Sequence, residues 1–217
     1  MLKELEQKKV VLAIGTIWLF HVSAMIGIGM GHLDWFITKT DLNLSLCLFL
    51  FLICYPLDNL RKVLAFGLFF TGGFLAEWIG VHYGILFGEY AYGANFGPKI
   101  DGIPLLIGTN WAVLTFITAG IMDYFNMHTA LKVSLATALM VLLDYFMEYS
   151  APIFDFWTFE GGLAGLENYL TWFGLALLFQ VVLKGLKVSG NRLFSAHLYL
   201  AQLVFFMYFY FLSEVLF

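Results

Sequence analysis

The sequence predicts an all-α polytopic membrane protein: a bundle of about seven transmembrane helices with two long aromatic and glycine-rich loops on the outer side. Three observations carry this. Hydrophobic residues make up 61% of the chain and charged ones only 12%, whereas a soluble domain carries about a quarter charged residues. Apolar runs of near-spanning length recur along the sequence, and a span needs roughly 20 residues. The lysines and arginines fall between those runs in a one-sided way. Spans and connections use up all 217 residues, so 1–217 reads as a single transmembrane domain.

The first span covers 10–30. It follows the basic stretch "MLKELEQKKV" and is too long for a signal-peptide core, with no small-residue cleavage site, so it reads as a membrane helix. The second, 42–57, is short. It starts near Thr40 and is closed by Pro56, which disfavours helix at Tyr55. Cys47 and Cys54 sit seven apart within it, on one face, as packing residues, and without a C-x-x-C motif a redox or zinc role has no support. The third, 62–80, has no charge between Lys62 and Glu77. The remaining spans are 105–124, 131–150, 168–186 and 195–216.

With seven crossings, Lys3, Lys8, Lys9, Arg61, Lys62, Lys132, Lys184, Lys187 and Arg192 fall on one side, and Lys39 and Lys99 on the other. The positive-inside tendency then puts the N-terminus in the cytoplasm and the C-terminus outside, in a multi-pass cell-membrane protein.

Two connections stand apart. Residues 81–104 interleave Gly84, Gly88, Gly93, Gly97 and Gly102 with Tyr83, Phe87, Tyr90, Tyr92 and Phe96. Residues 151–167 repeat the style with Phe154, Phe156, Trp157 and Phe159. Long ordered loops serve as lids or site walls, and this density of aromatic rings points to a long apolar ligand.

Polar residues gather at one depth. Glu77 closes the third span, and Asp144 and Glu148, four apart on one helix face, lie near the end of the fifth. Asn110 and Trp111 open the fourth; Asn168, Tyr169 and Trp172 open the sixth. His82 follows Glu77 closely. Acids inside a membrane are expensive and are functional by default, although an acid at a helix end can also face headgroup water. His21, deep in the first span, reads as a packed, hydrogen-bonded histidine, and His32 and His128 as interface residues. Glu77, His82, Asp144 and Glu148 match no zinc spacing, so no metal is expected. There is no P-loop, dinucleotide fingerprint or G-x-S-x-G, and the last span lacks a lysine for a Schiff base. Nothing points to nucleic acid.

The stretches "EWIGVHYGILFGEYAYGANFGPKIDGIPLLIGTNW" (77–111) and "LLDYFMEYSAPIFDFWTFEGGLAGLENYLTWF" (142–173) resemble the integral-membrane carotenoid biosynthesis family, which includes carotenoid 1,2-hydratases of the bisanhydrobacterioruberin hydratase and gamma-carotene 1'-hydratase type. The family pattern has a proline directly after the glutamate matching Glu148; here Tyr149 follows and proline comes at Pro152. The resemblance implies a cofactor-independent hydro-lyase that adds water to the terminal isopropylidene double bond of an acyclic carotenoid end. Its partners would be the carotenoid in the bilayer, lipids, and other enzymes of the pathway.

Such chemistry needs an acid touching the alkene, a tertiary cation stabilised by aromatic faces and a carboxylate, and a base for the attacking water. The catalytic set implied is Glu77, His82, Asp144 and Glu148. Asp144 or Glu148 serves as acid, Glu77 and His82 hold water, and the reverse assignment with Glu77 as acid stays open. Asn168 and Tyr169 would orient these groups. Trp111, Trp157 and Trp172 would line the cation site, and Asn110, Tyr90 and Asp155 complete the substrate-binding set. Two alternatives remain: a lycopene-type cyclase, which begins with the same protonation, and a proton-coupled transporter of a lipid or small molecule, for which paired acids also suit.

Overall fold

The computed structural model describes residues 2–216, with side chains from 4 to 212. In chain order its elements are α1 (Leu2–Gly29), α2 (Leu33–Ile37), α3 (Thr40–Cys54), α4 (Leu60–Tyr83), β1 (Tyr90–Tyr92), β2 (Lys99–Ile100), β3 (Ile103–Pro104), α5 (Leu105–Met122), α6 (Thr129–Ser150), β4 (Trp157–Phe159), α7 (Leu166–Gly185) and α8 (Arg192–Leu216). Among the described residues, six helices (α1 and α4 to α8) are long and apolar enough to cross a membrane.

The helix α3 is the exception. Its 15 residues reach about 22 Å at 1.5 Å per residue, short of a bilayer core of roughly 30 Å. It still runs between the two ends of the bundle. Asp41 lies against Gly97 in the long loop, while the Tyr55 ring packs on Gly190 at the opposite, basic end. The predicted second span, 42–57, is therefore corrected to Thr40–Cys54. The first helix starts earlier than 10–30 because its polar turns are held by the ion pairs Lys8–Glu4 and Lys9–Glu6.

Helix ends follow local chemistry. The Asn59 side chain caps α4 by accepting from the Lys62 N–H at 3.1 Å. At the other end Gly84, at φ 63°, donates its N–H to the Gly80 carbonyl, a left-handed closure that glycine permits without strain. The helix α6 continues through Tyr149 to Ser150 before the chain turns at Pro152.

The centre of the bundle is α5. It has no charged residue, and every residue from Ile107 to Thr118 is buried. Small residues let its neighbours approach, as is usual where lipid offers no hydrophobic drive between helices. Phe70 of α4 covers Gly108, Trp111 covers Gly73 of α4, and Ser195 of α8 meets Gly120. Polar glue sits lower down: Gln180 of α7 donates to the Thr115 carbonyl at 3.0 Å and to Thr118 Oγ1 at 2.8 Å.

The two long loops contain strands that the sequence reading treats only as loop. Strand β1 pairs antiparallel with β4, with Tyr90 opposite Phe159 and Tyr92 opposite Trp157. Strand period then decides the faces: these four aromatics turn inward, and Ala91 and Thr158 are exposed. Strands β2 and β3 form a tight hairpin across Asp101 and Gly102, both at positive φ, the backbone that an Asp-Gly pair favours. Asp101 Oδ2 accepts the Trp78 indole N–H at 2.7 Å, pinning the hairpin to α4.

A Cβ on Gly73 would lie 2.5 Å from Trp111 Cβ and Cγ, whereas one on Gly67 meets nothing within 4 Å. Gly73→Ala should cost about 1–3 kcal/mol by overpacking, and Gly67→Ala should be neutral or stabilising by up to ~1 kcal/mol. Thermal unfolding of both variants in detergent checks this; equal midpoints would contradict the α4–α5 packing.

Candidate functional site

Glu77 is 4% exposed, Asp144 0% and Glu148 8%. They come from α4 and α6 and line one small cavity with Phe87, Tyr90, Tyr92, Ile107, Trp157, Phe159, Asn168 and Trp172. The helix pattern explains the convergence. Asp144 and Glu148 are one turn apart on the face of α6 that meets α5 and α7, and Glu77 lies on the buried stripe of α4 with Gly73, Ala76 and Gly80.

Each acid is held differently. Glu77 is saturated: Trp111 donates its indole N–H to Oε1 at 2.9 Å, and the Tyr90 and Tyr92 hydroxyls donate to Oε2 at 2.6 and 2.7 Å. Glu148 accepts the Trp157 indole N–H at 2.8 Å and the Asn168 amide at 3.1 Å. The same amide donates to Asp144 Oδ2 at 3.2 Å. Asp144 Oδ1 is buried with no hydrogen-bond partner among the described residues. Below Glu77, the Trp111 and Trp172 rings stack with centroids 3.8 Å apart and planes at 17°.

The sequence-predicted residues divide accordingly. Glu77, Tyr90, Asp144, Glu148, Trp157, Asn168 and Trp172 line the cavity, and Trp111 reaches Glu77. His82 lies elsewhere. It is exposed, stacks on Trp78 at 4.6 Å, and holds Nε2 3.2 Å from Asp101 Oδ2; the expected partnership with Glu77 is corrected, because five residues along a helix turn the side chain to another face. Asp155 is exposed and braces the loops instead of facing the cavity: its Oδ2 accepts the Ala94 N–H at 2.8 Å and its carbonyl the Asn95 N–H at 3.1 Å. Tyr169 packs against Tyr145, with centroids 6.0 Å apart. Asn110 points into a separate, larger groove.

Sequence reasoning passes over Phe87, Ile107 and Phe159 of the cavity wall and, as a hydrogen-bonding group, Tyr92. The signal for Tyr92 is the alternation in "YAY" and "WTF", which puts two aromatics of each segment on one face of a strand. The aromatic loops do wall the acids, but the space they enclose is too small for the long apolar ligand that their rings suggest. The acid cavity measures about 10 Å³, room for about one water, which needs ~10–15 Å³.

Fold and site together define a polytopic helical membrane protein with a small, acid-lined pocket under a β-paired lid. The sequence profile of the carotenoid biosynthesis protein family matches residues 42–217, and the chain belongs to that family. The match runs from α3 through α8 and so reaches well beyond the stretches 77–111 and 142–173. No curated protein and no solved structure matches the chain.

The lid phenols hold a pH signature. Burial, and then the Glu77 carboxylate, push both Tyr90 and Tyr92 above the ordinary tyrosine value. A raised folded-state value means the stability they contribute is complete below about pH 10, the unfolded value, and is lost as pH rises further. Tyrosine difference absorbance should therefore show these phenols ionising only together with alkaline unfolding. Tyr90→Phe or Tyr92→Phe should each cost about 1.5–3 kcal/mol, the loss of one of two hydrogen bonds to the charged Glu77 Oε2; free titration of both phenols in folded protein would contradict the geometry.

Proposed function

We propose that the chain, acting as one membrane domain over 1–217, is a carotenoid hydratase. It would add water across the terminal isopropylidene double bond of an acyclic carotenoid end. One observation carries the reading: Asp144 Oδ1 is the buried carboxyl oxygen in the pocket that no donor occupies, so a proton can sit there and point at a substrate without displacing a hydrogen bond. Family membership supplies the substrate class.

The steps balance without an electron carrier. The Asp144 proton goes to C2 as the C1–C2 π bond breaks, leaving a tertiary cation at C1. The Glu77 carboxylate, fixed by its three donors, and the stacked Trp111 and Trp172 rings stabilise that charge. A water oxygen bonds to C1, Glu148 takes the excess proton, and the pocket returns it to Asp144. Asn168, bridging Asp144 and Glu148, orients both. His82 has no part. The small cavity requires the aromatic side chains around it to shift when the end group enters.

The basic end of the bundle would face the cytoplasm and the lid the outer side, by the distribution of lysine and arginine. Lipids, and other enzymes acting on the same carotenoid, would be its neighbours.

In a host that makes a linear C40 polyene, the chain should yield pigment heavier by one water. Asp144→Asn should lower that yield roughly 100-fold or more, the range for losing a general acid; Glu77→Gln and Glu148→Gln should lower it too. A new ring at unchanged mass would make the protein a cyclase, and unchanged mass with unchanged pigment would leave transport. Hydrated pigment from all three variants would defeat the residue roles.

A further inference from the structure

A second cavity, of about 480 Å³, lies at the same end of the bundle between α1, α2, α3, α5, α6 and α8. We propose that this groove is the seat of the polyene, entered sideways from the bilayer, with the reacting end passing from it through a thin partition into the acid pocket. The proposal rests on the hydratase reading and adds where the substrate lies.

Four features carry it. The groove is open laterally. Leu19, Phe20, Trp35 and Leu42 at its rim are exposed, whereas Ile28, Phe96, Phe154 and Phe156 beneath are buried. A molecule dissolved in lipid can thus enter without crossing water. Its walls are rich in aromatic rings, which offer faces to a conjugated chain.

The partition is one side chain thick. On α6, Leu143 and Met147 line the groove while Asp144 and Glu148, the next residue in each case, line the acid pocket. On α5, Asn110 lines the groove and Ile107, one turn earlier, the pocket. Phe96 of the groove touches Trp157 of the pocket, centroids 5.8 Å apart.

The groove also holds hydrogen-bonding capacity that nothing in the fold uses. Asn110 and Gln202 are each 9% exposed, line the groove and make no side-chain hydrogen bond among the described residues. Among the described residues His21 bonds through Nδ1 alone, to the Ile17 carbonyl at 2.8 Å. The Asn110 and Gln202 amides open onto the groove, and Asn43 in the same wall buries its Oδ1 with no partner among the described residues; a ligand that brings a hydroxyl, as the singly hydrated polyene does, would serve both kinds of group. A phospholipid fits less well. The deep polar groups are neutral amides and an imidazole, and Lys39 at the rim already lies over the Trp35 ring, 5.9 Å from its centroid.

The test separates binding from turnover. Asp144→Asn protein, purified in detergent, is loaded with lycopene, a linear hydrocarbon polyene, and retained pigment is measured by absorbance. Ala24→Phe, at a position that lines the groove and not the acid pocket, is added on that background, and the unaltered protein is separately photolabelled with a diazirine-bearing linear isoprenoid. Expected are stoichiometric retention, at least a tenfold loss with Ala24→Phe, and label on α1 between 19 and 24 or α3 between 40 and 44. Retention unchanged by Ala24→Phe, label confined to other surfaces, or displacement of lycopene by equimolar phosphatidylcholine would overturn the proposal. Pigment held in the groove but never hydrated by the wild type would sink the hydratase reading alone. Hydration in a host by a protein that Ala24→Phe leaves fully active would sink the groove alone.

Discussion

The structure depends on how the carboxyl of Glu77 is satisfied. An acid in an apolar bundle must find donors or be expelled, and Glu77 finds three, from two separate segments: the indole of Trp111 on α5 and the hydroxyls of Tyr90 and Tyr92 on β1. Hydrogen bonds to a charged group are each worth about 1.5–3 kcal/mol. The α4–α5 packing and the position of the lid are therefore fixed by the same two oxygens. Glycine at 73 is part of the arrangement, since a larger residue would move the Trp111 ring off its acceptor.

The lid carries this constraint to the other acids. Tyr92 and Trp157 are cross-strand partners; one donates to Glu77 and the other to Glu148. Asn168 then joins Glu148 to Asp144. The continuous path from α4 through the β1–β4 pair to α6 and α7 makes the strands the bridge between two halves of one polar cluster. Gly93 and Asp155 hold that bridge shut. A Cβ on Gly93 would fall within 2.4 Å of the Asp155 carbonyl oxygen, and Asp155, at φ 54°, turns the backbone beneath it. That role explains an aspartate whose carboxyl faces the neighbouring loop and not the cavity.

The helices were legible in the sequence because lipid leaves few alternatives: long apolar runs separated by charge can only be spans. The depth of Glu77, Asp144, Glu148, Trp111 and Asn168 followed from helix spacing and counted crossings. Contacts that depend on loop register were not legible. His82 sits near Glu77 in sequence, yet helix rotation sends it to Trp78 and Asp101. The Asp-Gly pair at 101–102 and the alternating aromatics of 90–92 and 157–159 did carry strand signals, but segments of two or three residues are too short for periodicity to outweigh an assignment as loop. Which face Asn110 takes depends on how α5 is rotated between α4 and α6, and a helix buried on every side, with its few polar residues buried too, has no polar face from which to read that rotation.

The division into a wide apolar groove and a tight acid pocket matches a physical demand that alkene protonation would impose. A tertiary cation reacts with any water that reaches it, so a productive site must admit one water and exclude the rest. A single chamber large enough for a polyene arm and open to the bilayer could not control that number. Two chambers separated by Leu143, Met147, Phe96 and Ile107 can. The groove would sort by shape and apolarity, and the pocket by volume and hydrogen bonding. The aromatic loops would then exclude water from the acids, and the groove, formed mainly by helices, would select the ligand. Changes in the loops should then alter what becomes of the cation, and changes in α1, α3 and α8 should alter which molecule arrives.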